Sequence, residues 1–170
     1  MRNRLIGVLL ALVLVLIPAT PALAATDADV TVTATPAYVA IADNVTSYDF
    51  GIVTASSTSN TSANYTGITN TSSVQTDITI AVTTNTWAGG VTWTHSDTAT
   101  PGADTAGMKA NRGGTWGIGD IIVKFASPNY IYENAPAATN FDYGLQLIAP
   151  TSFGDGVQKS ITVRVTAAAG

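Results

Sequence analysis

Residues 74–82 read Val-Gln-Thr-Asp-Ile-Thr-Ile-Ala-Val, and this stretch decides the fold class. Its even-numbered positions hold Val, Thr, Ile, Ile and Val, whereas its odd-numbered positions hold Gln, Asp, Thr and Ala. Successive side chains of a strand point to opposite faces, so this alternation predicts a half-buried β-strand with Ile78 and Ile80 in the core. A helix would scatter the same residues around its axis.

The residues before this strand extend the pattern. Residues 48–53 read Tyr-Asp-Phe-Gly-Ile-Val, and alternation places Tyr48, Phe50 and Ile52 on one face of a second predicted strand, with Asp49 and Gly51 on the other. Ile68 lies in a third strand, and residues 70–73, Asn-Thr-Ser-Ser, are typical of a tight turn. We therefore expect a hairpin between the strand of Ile68 and the strand that follows the turn.

The N-terminus has the features of a secretory signal peptide. A basic start at Arg2 and Arg4 precedes an apolar run over residues 5–17, and two prolines lead to Ala22-Leu23-Ala24. This pattern predicts export and cleavage after Ala24, with residues 1–24 as the leader. The alternative is a retained membrane anchor, but the apolar run is shorter than the ~20 residues that a span needs. Residues 25–170 would then form a single mature domain, secreted or held on the cell surface.

The composition of the mature chain argues against several classes of function. Without the leader, five basic and eleven acidic residues remain, which gives a net charge of −6. The basic residues are scattered, and this argues against nucleic-acid binding. The chain has no cysteine, which excludes disulfides, thiolate nucleophiles and cysteine metal ligands. No later apolar run approaches spanning length, so no stable membrane span is expected after cleavage.

Further alternating segments bring the predicted strand count to about nine. They are residues 30–35, 39–41, 91–94, 120–126, 141–147 and 157–166. Trp93 is expected in the core, and Ile161, Val163 and Val165 are expected to face inward. No helix is predicted outside the leader. The expected architecture is an all-β, immunoglobulin-like β-sandwich, with a jelly roll as the alternative.

Two segments lack the alternation. Residues 53–64 are small and polar and are interpreted as a surface loop, with a ragged strand as the alternative. Residues 95–119 are rich in glycine, which argues against a long helix. Because long irregular segments are often functional, a binding site is expected there.

Short motifs in the first half of the mature chain carry a family resemblance. The order Asp49-Phe50-Gly51-x-Val53, then Ile68-Thr69-Asn70-Thr71-Ser72 and an alternating strand, resembles the immunoglobulin-like domains of the ASPM/SPD-2/Hydin type. The match covers residues 30–82. A leader followed by an all-β domain of this size is also similar in architecture to the camelysin and TasA group of extracellular filament subunits. Both resemblances imply a structural β-domain, and neither supplies a catalytic residue.

Candidate catalytic and metal-binding residues are few. His95-Ser96-Asp97 has the residue types of a triad, but neighbours on an extended chain point to opposite faces and do not converge. His95 is therefore interpreted as a polar residue at a strand end. One histidine without cysteine does not build the usual zinc site. No enzyme activity and no cofactor are expected. The remaining metal candidate is calcium, bound by Asp97, Asp104 and carbonyls of the Pro101-Gly102 loop.

Aromatic residues supply the other candidate site. Trp116, Tyr130 and Tyr132 fall in or beside irregular segments, where exposed rings can stack on sugars or on a partner protein. Trp116 is flanked by glycines and is expected to be exposed.

Four sequons for N-glycosylation occur, at Asn44, Asn60, Asn64 and Asn70. In an exported protein each is a candidate acceptor. The alternative is chance, because a chain rich in Ser and Thr produces sequons freely.

These observations predict a non-enzymatic extracellular or cell-surface structural or interaction protein, such as a filament or envelope subunit. The alternative is a carbohydrate-binding or adhesive module. Expected partners are other surface proteins, polysaccharide, or copies of the chain itself. Residues 30–35 follow a flexible start and precede Pro36, so this strand either pairs within its own sandwich or adds to the open edge of a neighbour.

Overall fold

The computed structural model describes residues 31–62, 65–113 and 115–170. The chain divides into two compact units, Met1–Thr35 and Pro36–Gly170. In the first unit only residues 31–35 are described; they form no strand, and Val32 is 86% exposed. The predicted strand over residues 30–35 is therefore wrong for its described part, and Val30 lies outside the described residues. The predicted leader also lies outside them.

The second unit is all-β, as predicted from the sequence. Its described residues form eleven strands and no helix. In chain order the strands are β1 (Ile41–Asp43), β2 (Thr58–Asn60), β3 (Thr66–Asn70), β4 (Thr76–Val82), β5 (Thr86–Trp87), β6 (Trp93–Ser96), β7 (Thr105–Asn111), β8 (Ile121–Ile122), β9 (Asn129–Ala135), β10 (Asn140–Ile148) and β11 (Val163–Ala169). Over residues 31–62, 65–113 and 115–170, no helix is long and apolar enough to cross a membrane.

The strands form two sheets. The larger sheet has the order β1-β3-β10-β7-β6-β5, with β2 also paired to β10 and β8 to β7. The smaller sheet has the order β11-β4-β9. The long strand β10 organises the larger sheet, because its first half pairs with β3 while its second half pairs with β2 and β7. All ladders are antiparallel except that of β6 with β7.

The core lies between apolar strand faces, and the sequence correctly predicted which residues of these strands point inward. In β4 the even-numbered residues from Thr76 to Val82 are buried, and Ile78 and Ile80 are completely inaccessible to solvent. Trp93 is also buried, and Ile161, Val163 and Val165 pack against the core from the segment that enters β11. These alternations were reliable because one face of each segment is clearly more apolar than the other.

The predicted hairpin is wrong, because β3 and β4 belong to different sheets. The residues between them carry the chain from one sheet to the other. Ser72 is buried there, as are Asn70 and Thr76 at the flanking strand ends, whereas Thr71, Ser73 and Gln75 are exposed. The Asn70 amide donates to Thr76 Oγ1 at 3.1 Å and to the Pro136 carbonyl at 3.0 Å. The Ser72 N–H in turn donates to Asn70 Oδ1 at 3.1 Å. This small polar tract is thus a crossing between the sheets, held by buried hydrogen bonds of Asn70, and not a hairpin turn.

The predicted strand at residues 48–53 is also wrong. Gly51 has a φ of +68°, and its N–H donates to Asp49 Oδ1 at 2.8 Å, so a local turn interrupts the extended chain. Ile52 is fully exposed, whereas Phe50 and Val53 pack against the core.

The glycine-rich region 95–119 contains a strand that its sequence pattern does not predict. β7 occupies seven of its residues and pairs with β10, β6 and β8. Gly107 lies so close to the chain that a Cβ there would be 2.7 Å from the Ala99 Cα. Glycine and alanine in β7 allow this close approach, and they also hide the alternation on which strand prediction depends.

Other strands differ from the prediction at their boundaries. The expected strands at 39–41, 91–94 and 157–166 are shifted to β1, β6 and β11, and the one at 120–126 is reduced to β8. β2 lies inside the segment interpreted as a loop, and β9 was not predicted. Alternation over the predicted strand 120–126 would place Phe125 on the same face as Val123, but Val123 is buried while Phe125 is exposed.

Candidate functional site

An open cleft of about 750 Å³ lies in the second unit. One wall is the loop of residues 43–53, and the other is the segment 155–163 that leads into β11. Its inner surface is mostly apolar and is contributed by Trp87, Trp93, Met108, Tyr143, Leu145 and Leu147. The volume of the cleft and its apolar lining are typical of ligand-binding pockets in proteins. The sequence pattern does not predict this cleft, because its lining comes from distant parts of the chain.

Aromatic rings line the mouth of the cleft. Tyr48 lies edge-on to Phe50 and to Tyr65, with ring centroids 4.8 and 4.5 Å apart. Phe153 stacks on Trp93 at 5.3 Å. Tyr48 and Phe153 remain partly open to solvent. Apolar surface therefore continues from the interior of the cleft to its rim, as is common at interaction sites.

Two charged groups of the cleft, Lys159 and Asp155, form an ion pair. The Lys159 ammonium donates to Asp155 and lies 5.9 Å from the centre of the Trp93 ring. Hydrogen bonds from Lys159 and from the Val91 N–H lower the pKa of Asp155, so the carboxylate stays ionised. This ion pair contributes no free charge to the cleft.

A second polar contact in the cleft joins Tyr143 to Asp43, at the start of the 43–53 loop. The Tyr143 hydroxyl donates to Asp43 Oδ2 at 2.7 Å. Burial raises the pKa of Tyr143, and the Asp43 carboxylate raises it further. Tyr143 therefore stays protonated and acts as a hydrogen-bond donor that holds β1 against β10.

Two indole groups at the cleft are buried donors. The Nε1 atoms of Trp87 and Trp93 have no hydrogen-bond partner among the described residues. The two rings lie 6.0 Å apart. Unpaired buried donors are uncommon in folded proteins and cost stability.

The edge of the smaller sheet beside the cleft is open. β11 pairs with β4 over seven consecutive residues and has no other partner strand in the described part of the chain. Its inward residues Val163, Val165 and Ala167 are only partly buried, whereas Ile78 and Ile80 of the adjacent β4 are fully buried. Val163 also lines the cleft. The interior is therefore less well covered on the β11 side.

Asp97 and Asp104, the two predicted calcium ligands, accept hydrogen bonds from the backbone of two different segments. Asp97 accepts hydrogen bonds from the N–H groups of Phe125 and Ala126 at 2.6 and 3.2 Å. Asp104 accepts one from the Gly154 N–H at 2.7 Å. Among the described residues no group of three or more His, Asp or Glu side chains is arranged to hold a metal ion. Both aspartates stabilise loops, and calcium binding stays a prediction.

His95 does not form a triad with its neighbours. His95 lies one residue before the end of β6, its ring is buried, and Nε2–H donates to the Val123 carbonyl at 2.8 Å. Asp97 Oδ1 lies 3.9 Å from the same nitrogen. The Ser96 hydroxyl accepts instead from the Thr100 N–H at 3.1 Å. These contacts link β6 to the segments around it.

The predicted stacking residues lie on two elements. Trp116 is partly buried, less exposed than expected, and lies in the loop between β7 and β8. Tyr130 and Tyr132 lie on β9 and not in a loop. Tyr130 is 51% exposed, whereas Tyr132 donates its hydroxyl to the Asp142 carbonyl at 2.8 Å and is half-buried.

The base of the Trp116 loop is a hydrogen-bonded polar cluster. Asp120 accepts from the Asn111 amide at 2.8 Å and from the Gly117 N–H at 3.1 Å, and it pairs with Lys109 at 3.3 Å. Burial alone would raise the pKa of Asp120, but these hydrogen bonds and the Lys109 charge outweigh it and lower the pKa.

The sequons differ in accessibility. Asn44 and Asn60 are exposed, and Asn64 lies outside the described residues. The Asn70 side chain is buried and uses its amide in the crossing between the sheets, so a glycan there is incompatible with the folded state. Glycosylation of the exposed sites stays a prediction.

No protein family, curated protein or solved structure matches this chain.

Proposed function

We propose that this chain is a non-enzymatic extracellular or cell-surface structural protein, with an immunoglobulin-like sandwich, that associates with copies of itself as a filament or envelope subunit. The observation that carries the proposal is the state of residues 31–35. They are exposed and unpaired, although Val30, Val32 and Ala34 alternate with threonine as in a half-buried strand. Such a segment gains hydrogen bonds and apolar contacts when it adds to the sheet edge of another subunit.

Three further observations support the proposal. The leader-like N-terminus favours export. β11 offers an open sheet edge, and an apolar cleft lies beside it. Addition of one subunit's strand to the next gives a head-to-tail interface, which propagates as a fibre when it does not close on itself.

Removal of the N-terminal segment tests the function. Two proteins are compared at equal concentration by light scattering and negative-stain electron microscopy: residues 25–170 and residues 36–170. The longer protein is expected to form fibres or large particles, and the shorter one is expected to stay monomeric. Because residues 31–35 are unpaired, the two proteins should have equal urea midpoints. A longer protein that stays monomeric at high concentration would refute self-association.

One observation favours the alternative function, a carbohydrate-binding or adhesive module. The Tyr130 ring is 51% exposed on the outer side of β9, where it can stack on a sugar. Pull-down on insoluble polysaccharide, with Tyr130→Ala and Trp116→Ala as variants, tests this function. Retention that both variants abolish would favour it over self-association alone.

A further inference from the structure

We infer that the outer face of the smaller sheet, opposite the core, binds an acidic polysaccharide, a polymer whose sugars carry carboxylate groups. Three side chains form the site: Lys124 beside β4, Tyr130 on β9 and Arg164 on β11. This inference goes beyond self-association, and it rests on the carbohydrate-binding alternative given above. It adds a class of ligand and a surface to that alternative, and it involves neither the cleft nor the N-terminal segment.

Two cations lie in one row on this face. Ala81 in β4 pairs with Arg164 on one side and forms a bridge with Lys124 on the other. Neighbouring strands lie about 4.8 Å apart, so the backbones of the two cations are about 10 Å apart. Ile80 and Val123, which directly precede Ala81 and Lys124, are completely buried. Because successive side chains alternate, the residues that follow them point away from the core.

Both cations lack an ion pair in the described part of the chain. The bases that are paired there are His95, Lys109 and Lys159. Asp97 uses both carboxylate oxygens for the backbone N–H groups that follow Lys124. Asp77, on the same face of β4, is four residues from Ala81, or about 13 Å, which exceeds the screening length of about 8 Å at physiological salt. In an acidic chain, two adjacent unpaired cations favour an anionic ligand.

An exposed aromatic ring lies in the next row. Tyr130 pairs with Thr79, which pairs with Thr166, and this row is about 7 Å from the row of the cations. Tyr130 is 51% exposed, and Thr166 is exposed as well. The residues between Tyr130 and Arg164 are Thr79 and Ala81, whose small side chains let a sugar lie across them. Tyr130 can then stack on the sugar ring while the threonine hydroxyls bond to the sugar hydroxyls.

A carboxylated polysaccharide fits this face better than other polyanions. Nucleic acid has a dense backbone charge and is bound by larger sets of cations. A protein partner needs an apolar centre at the interface. The outward side chains of β4 and β11 offer no large apolar group, since they include Asp77, Thr79, Ala81, Arg164, Thr166 and Ala168. An acidic sugar supplies both a ring face for Tyr130 and a carboxylate that Arg164 can bind through two hydrogen bonds.

Affinity gel electrophoresis tests the site. The mature protein runs through native gels that contain polygalacturonate, alginate or hyaluronate, three polysaccharides with carboxylated sugars, and its retardation gives a dissociation constant for each. Methyl-esterified polygalacturonate keeps the sugar rings without the charge, and polyglutamate keeps the carboxylates without the rings. Single-stranded DNA is the third control polymer. A gel without polymer records self-association separately.

Variants on and off the face locate the binding site. Arg164→Gln and Lys124→Gln each remove one cation from the face, and both should weaken binding about tenfold because a charge-assisted hydrogen bond is lost. Arg112→Gln makes the same change in net charge after β7 of the larger sheet, and should weaken binding less than about twofold. Tyr130→Ala should weaken binding about fivefold, whereas Tyr130→Phe keeps the ring and should not. Equal urea midpoints show that the variants are folded.

We expect at least one carboxylated polysaccharide to bind more tightly than its methyl ester, polyglutamate or DNA. Equal binding to polyglutamate would overturn sugar recognition in favour of an acidic protein partner, and tighter binding to DNA would do so in favour of a nucleic acid. Absence of binding to all three polysaccharides, or equal losses for Arg164→Gln and Arg112→Gln, would overturn the site. If fibres form without polysaccharide binding, this site is wrong and self-association stands. If the protein binds polysaccharide but stays monomeric, the site stands and self-association fails.

Discussion

The complete burial of Ile78 predicts how much stability the protein loses when this side chain is truncated. This side chain lies in the central strand of the smaller sheet and is completely inaccessible to solvent. Ile78→Ala removes three carbon groups, which at about 0.8 kcal/mol each amounts to about 2.4 kcal/mol of transfer free energy. The cavity left behind adds to this cost, so the loss of stability is expected to be roughly 3–4 kcal/mol.

The neighbouring residue is the control. Thr79 points to the opposite face, and its hydroxyl makes only a long contact of 3.4 Å with the Thr166 carbonyl. Thr79→Ala should therefore cost less than about 1 kcal/mol, mainly through lower strand propensity.

Urea unfolding followed by tryptophan fluorescence measures both changes. Trp87 and Trp93 are each 6% exposed, so their emission reports loss of the core. With a slope of about 1–3 kcal/mol per molar urea, Ile78→Ala should lower the midpoint by at least about 1 M. Equal midpoints for Ile78→Ala and Thr79→Ala would refute the assigned phase of β4 and with it the arrangement of the core.

Three other predictions follow from single positions. Gly107→Ala should destabilise the protein in the same urea assay, because the new Cβ would lie 2.7 Å from the Ala99 Cα, whereas Gly102→Ala, with its nearest contact at 3.4 Å, should be tolerated. The folded-state pKa of Asp120 is lowered, so its stabilising effect is present above about pH 4 and is lost as the pH falls through the folded value; Asp120→Asn should therefore reduce the fall in urea midpoint between about pH 5 and pH 2. The mass of the exported protein should correspond to cleavage after Ala24, and exported protein that retains residues 1–24 would contradict the leader assignment.

Sequence alternation predicted the strands that have one strongly apolar face. The buried phase of β4 and the inward residues before and within β11 are correct because large aliphatic residues recur there at every second position. β7 was missed because its buried residues include Ala106, Gly107 and Ala110, which are small and give little hydrophobic contrast.

Pairing between strands was harder to predict than the strands themselves. A polar tetrapeptide between two strands predicts a turn, but whether both strands join the same sheet depends on contacts distant in sequence. Here Asn70 bonds to the Pro136 carbonyl, and this contact helps to carry the chain across to the other sheet. The cleft was missed for the same reason, because residues from the 43–53 loop, β10 and the 155–163 segment meet only in the folded chain.

Self-association through the N-terminal segment is the central claim, and Val32→Asp tests it most directly. Val32 is 86% exposed, so the charge should leave the stability of the monomer unchanged while it prevents burial in a second copy. Thr33→Asp, on the opposite face of the added strand, is the matched control. By light scattering and electron microscopy, wild type and Thr33→Asp are expected to form fibres, and Val32→Asp is expected to stay monomeric. Fibres of Val32→Asp that equal those of the wild type in number and length would contradict the account.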